Sequence, residues 1–131
     1  MLRKKKGSHQ NEIDLDKVAA DHIVRGVRLF AIRYGIYEPS TFGRISRLKE
    51  LGAISESDAD MIRESFESLM MLRIRENMKK VRQGRKPDNY IDPYSLRKKE
   101  RLILKQALSG VSLLLGLVNK EFKSAWLRQM V

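Results

Sequence analysis

Arg73 follows Ile62, Phe66 and Leu69 on one face of a long helical repeat, and Asn77 comes one turn later. A guanidinium and an amide on an inward face can hold a phosphate or a carboxylate by paired hydrogen bonds. The same placement also suits an internal ion pair, because a buried cation needs a counter-charge and Glu100 is the one carboxylate on the facing stripe of the last helix. Both readings stay open, and they coexist if the pair lines a cleft. Arg75 points nearly the opposite way and has a separate task. Just beyond lie Arg82, Arg85 and Lys86, then Asp88, Asn89, Tyr90 and Asp92. The basic residues and Asn89 are placed to close over an anion or to meet a neighbouring domain; the acidic and amide members equally read as a connector bonded to its own backbone. Arg28, at the flank of the first helix, and Arg101, on the shoulder of the last, present two more guanidinia. The candidate substrate- or nucleotide-binding set is Arg28, Arg73, Asn77, Arg82, Arg85, Lys86, Asn89 and Arg101. No residue is assigned to catalysis or to a metal.

Two other constellations carry less. Gly7-Ser8 followed by Asp14-Leu15-Asp16 imitates the Gly-Ser turn and paired carboxylates of a nucleotidyltransferase core. The spacing is too short, no strand precedes the turn and a helix starts at once, so these residues read as a linker and a helix cap. His9 and His22 have no Cys or second His at ligand spacing, and His22 sits on the outer face of the first helix.

The elements that position these groups are helical. Asp14 caps a helix over Leu15–Tyr34, with Ala20, Ile23, Val24, Val27, Phe30, Ala31 and Tyr34 inward and Leu29 and Ile32 outboard. Ser40 or Thr41 caps a short helix to Leu51, with Phe42, Ile45, Leu48 and Leu51 inward, and Gly52 stops it. Ser55 with Asp58 forms a variant capping box that opens a third helix running to about Gln83, ended by Gly84 and Pro87. The last helix starts between Pro93 and Lys98 and carries a stripe from Leu104 through Val111, Leu115 and Phe122 to Trp126. No segment alternates with period two, so no sheet is expected. The fold class is all-α, an antiparallel bundle of three long helices and one short helix over residues 13–131, behind a basic linker at 1–12.

At 131 residues the chain has one domain's worth of core. It lacks cysteine, which removes disulfides and thiolate chemistry and fits a reducing cytoplasm. No long uncharged apolar run is read in it, so a soluble, cytoplasmic domain with no membrane contact is expected. A net charge of +11 and a pI near 10.1 point to anionic partners.

Leu72 to Asn77, Gly84 to Pro93, Glu100-Arg101 and Leu104-Lys105 closely resemble the helical C-terminal domain of bacterial multidomain signalling proteins. There it follows cyclic-nucleotide-binding-like, CBS and nucleotidyltransferase modules, and it is identified as a nucleotidyltransferase substrate-binding domain, similar also to protein-PII uridylyltransferases. The resemblance runs from about Ile13 to Phe122. Asn77 stands where that family more often has Gln, and Arg97 where a Ser or Thr usually caps the last helix. It implies a non-catalytic domain that forms the cleft wall opposite a catalytic domain, with Mg2+ and a nucleoside triphosphate held there and no cofactor in this chain. The implied partners are that catalytic domain and a nucleotide or a phosphorylated or acidic substrate. Two readings of other classes remain: a stand-alone basic bundle binding nucleic acid non-specifically, and a protein-interaction module using Leu29, Ile32, Leu102, Leu113 and Leu117, which admits a homodimer.

Overall fold

A computed structural model describes residues 11–130, so the basic segment with Gly7-Ser8 and His9 lies outside the described residues. Strand β1 (Ile13–Asp14) leads into a π-helical turn, Asp16–Ala20, continuous with α1 (Asp21–Arg33). Next come α2 (Thr41–Glu50) and α3 (Glu56–Arg82). Strand β2 (Tyr90–Ile91), a 3-10 turn at Pro93–Ser95 and α4 (Lys98–Met130) complete the domain. By the usual rise, α3 is roughly 40 Å long and α4 roughly 50 Å.

Local chemistry sets the helix starts. The Asp14 carboxylate accepts from the N–H groups of Asp16 and Lys17, both at 3.1 Å, Ser40 Oγ from Gly43 N–H at 2.9 Å, and Ser55 Oγ from Asp58 N–H at 3.1 Å. At α4 the expected hydroxyl is missing. Glu100 Oε1 instead reaches back to the N–H of Arg97 at 3.1 Å, the carboxylate half of a capping box working without its Ser or Thr.

The core runs through Leu15, Ile23, Val27, Ile45, Leu48, Ile62, Leu69 and Leu114. Helix α4 packs chiefly against α3 and then against α1. Two glycines permit that approach: a Cβ on Gly110 would lie 1.9 Å from Ser65 Oγ, and one on Gly26 would lie 2.9 Å from Leu114 Cδ2.

Four expectations are corrected. A sheet does exist, one antiparallel pair matching Ile13 with Ile91 and Asp14 with Tyr90, too short for any alternation to register. Two residues expected inward lie at helix ends and are exposed: Leu51 at 47%, because α2 ends at Glu50 and the chain turns away at Gly52 with φ +72°, and Tyr34 at 39%, because α1 ends at Arg33. Leu113 and Leu117 are half-buried against the core rather than outboard, since α4 is flanked by two helices, while Leu29, Ile32 and Leu102 are exposed as expected. Finally, α4 contains an 18-residue window of mean hydropathy 1.6, so by length and composition one described helix could cross a membrane, contrary to the expectation that no such run exists. Only 28% of that window is buried, through residues such as Leu104, Val111 and Leu114, and Leu102 and Leu115 on the same helix are exposed.

Candidate anion-binding groove

Helix α3 stops where Gly84 takes φ +73°, with Gly84 N–H donating to Val81 C=O at 3.0 Å and Arg85 N–H to Lys80 C=O at 2.8 Å. The chain then folds back along the helix. Lys80, only 6% exposed, donates its ammonium to the Asp88 carboxylate and the Tyr90 carbonyl. Asn77 Oδ1 accepts from Asp88 N–H at 2.9 Å, and Asp88 Oδ1 accepts from Tyr90 N–H at 2.9 Å. The connector is closed by Leu15 N–H donating to Asn89 C=O at 2.8 Å, beside the β1–β2 pair.

Between this returning strand and α3 lies a groove of about 770 Å³. Arg73, Asn77, Arg82 and Asn89 line it, with Ile74, Met78 and Val81 as an apolar floor and Pro87 and Asp88 along the rim. Four of the eight expected residues are thereby brought together. Arg85 and Lys86 are exposed on the adjoining turn, where Arg85 donates to Gln83 Oε1 at 3.3 Å. Arg28 on α1 and Arg101 on α4 are exposed and do not line the groove.

The proposed Arg73–Glu100 pair does not form. Arg73, with its side chain 29% exposed, lies 3.7 Å from Asp16 and donates to the Met70 sulfur at 3.5 Å. Arg75 holds Glu100 instead, at 2.7 Å. The turn at Asp16–Ala20 packs on α3 and brings Asp16 to the Arg73 side, whereas Leu72, Arg75, Glu100 and Ile103 share a separate cleft between α3 and α4. The Arg75 hydrogen bond, then the Arg97 N–H, holds the Glu100 carboxyl below its ordinary value, with the Lys79 and Arg75 charges adding to them against desolvation.

Lys80 was missed by the sequence reading. Its signal was present: 73, 77 and 80 follow a four-three helical spacing, so the polar face that carries Arg73 and Asn77 continues through Lys80 to the connector. With Asn77 oxygen committed to Asp88, its NH2 end is the part left for a ligand, a donor suited to an anion. Asp16 and Asp88 temper Arg73 and Lys80, which leaves exposed Arg82 as the strongest open cation of the groove. Among the described residues no group of three or more His, Cys, Asp or Glu is placed to hold a metal ion.

A family model described as "Putative nucleotidyltransferase substrate binding domain" matches residues 1–122. The chain belongs to that family. No curated protein and no solved structure matches the chain. For a substrate-binding domain the relevant chemistry is recognition, and the groove supplies donors and cations over an apolar floor.

Proposed function

We propose that this bundle is the non-catalytic wall of a nucleotidyl-transfer cleft in a cytoplasmic bacterial signalling protein, similar to protein-PII uridylyltransferases, with the catalytic carboxylates and metal on another domain of the same polypeptide. The observation that carries the reading is the groove itself, which gathers Arg73, Asn77, Arg82 and Asn89 from a helix and its returning connector. Arg82 and Arg73 attract the anionic group, the Asn77 amide donates to it, and Ile74, Met78 and Val81 support the apolar part of a nucleotide or acceptor. Arg85, Lys86, Arg28 and Arg101 extend the positive field beyond the groove. The contribution to rate is orientation, which can be large without any proton transfer from this domain.

The test is a calorimetric titration of the chain with uridine triphosphate and, separately, with inorganic phosphate. Binding should weaken about tenfold in Arg82→Gln and in Arg73→Gln, with far smaller changes in Arg28→Gln and Arg101→Gln. Equal losses across all four variants would reduce the effect to net charge and remove the groove from the account.

A further inference from the structure

The apolar stripe of α4 keeps its register past the last turn of α1 and so runs on where few neighbours remain. Phe122 and Trp126, one turn apart on that stripe, are 39% and 59% exposed, and Trp126 is the chain's only tryptophan. They border a second groove of about 780 Å³ together with Arg33, Lys123 and Arg128, and the amides of Asn119 and Gln129 complete its edge. Arg33 is 3.4 Å from Glu121 and lies over the Tyr34 ring at 6.0 Å, and Arg128 donates to Ser124 Oγ at 3.1 Å. Three cations therefore stand around two open rings, with Glu121 as the nearby acid.

We infer that this end of the bundle binds single-stranded nucleic acid. Bases stack on exposed aromatic faces with little regard to sequence, and the phosphates between them take Lys and Arg. A site for a bare anion has no use for two aromatic rings. A protein-docking core, in turn, is depleted in charge at its centre, whereas here the cations lie among the rings. The chain's +11 charge supplies the long-range attraction. This groove is separate from the first: it shares no lining residue with it, being built on the last turns of α4 and the end of α1, whereas the first lies along α3 and its returning connector.

Trp126 is its own reporter. The whole chain is titrated with a fluorescently labelled oligodeoxythymidylate of about ten nucleotides, followed by anisotropy and by Trp126 emission. Emission should be quenched and affinity should fall steeply between about 50 and 200 mM salt. Trp126→Leu should weaken binding about tenfold, and Lys123→Gln with Arg128→Gln should weaken it and lower the salt slope by about 1 to 2. Circular dichroism melts check that these exposed positions leave the fold intact. Four results overturn the assignment: no binding at about 50 mM salt; a larger loss from Arg73→Gln with Arg82→Gln than from the α4 variants; adenosine monophosphate binding as tightly as the oligonucleotide; or a blue shift of Trp126 on anionic phospholipid vesicles without oligonucleotide binding.

Discussion

Removing one side of the Lys80–Asp88 pair should destabilise the domain unequally, and the inequality follows from exposure. The Lys80 side chain is 7% exposed and that of Asp88 33%. Asp88→Asn keeps the shape and the Oδ1 acceptor for both Tyr90 N–H and the Lys80 ammonium but removes the negative charge, so the ammonium stays in a nearly dry site with only that neutral oxygen and the Tyr90 carbonyl around it. Breaking a buried pair this way costs about 3 to 5 kcal/mol, and the carbonyl puts the value near the low end, about 3 kcal/mol. Lys80→Met fills the same channel with apolar atoms and leaves a carboxylate that water reaches and the Tyr90 N–H still organises, so about 1 to 2 kcal/mol is expected. The double variant should recover at least about 1 kcal/mol against the sum of the two. Urea melts of the four proteins, with slopes compared to confirm a common unfolded state, give these numbers. Additivity within about 0.5 kcal/mol, or a larger cost for Lys80→Met than for Asp88→Asn, would refute the picture of a buried ammonium clamping the connector.

Glu100→Gln should remove part of the acid dependence of stability. Because its folded pKa lies below the ordinary value of 4.5, the stabilisation is complete above that value and disappears as pH falls through the lowered folded pKa, so the variant's melting temperature should fall less steeply with acid than the wild type's. Gly110→Ala should cost about 2 to 3 kcal/mol by driving a methyl into Ser65. Ser65→Gly should rescue it better than Ser65→Ala, since the Ser65 Cβ itself lies 2.6 Å from the added carbon. Asp14→Ala should cost about 1 kcal/mol as a lost helix cap. With Mg2+ and any nucleoside triphosphate, the chain should release no pyrophosphate before or after that change, and a signal that Asp14→Ala abolishes would restore the Gly-Ser and carboxylate motif.

What the sequence made legible was local. Asp14, Ser40, Ser55 and Gly84 act within four residues of their partners, so spacing alone fixed their roles. The stripe on α1 was readable for the same reason. The groove is half legible: spacing points to Arg73, Asn77, Arg82 and Asn89, and it also carries Lys80 on the same face, but that Asp16 and Asp88 meet these cations depends on how distant segments come together. The sequence leaves Glu100 open as a partner of Arg73 because both lie on inward stripes, yet a helix with neighbours on several sides has several inward directions, and the turn at Asp16 takes the one that Arg73 faces. Likewise, Phe122 and Trp126 obey the core periodicity of α4, but a period does not say where the other helices end.

The bond from Leu15 N–H to Asn89 C=O ties the groove's connector to the other end of the domain, across more than half of the described chain. Caps and helices form from near neighbours, whereas this closure must await the loss of entropy of the whole intervening loop. The candidate groove is therefore expected to be completed late in folding, and opening of the two-rung β1–β2 pair would uncover the edge of the core at Ile13, Leu15 and Ile91 while the centre of the bundle around Ile62 and Leu114 stays packed. In hydrogen exchange the amides of Leu15, Asp88 and Tyr90 should lose protection together, earlier than those of Ile62 or Leu114. The candidate groove and the segment that enters the domain at Ile13 are thus one mechanical unit, joined through the Leu15–Asn89 bond and the β1–β2 pair.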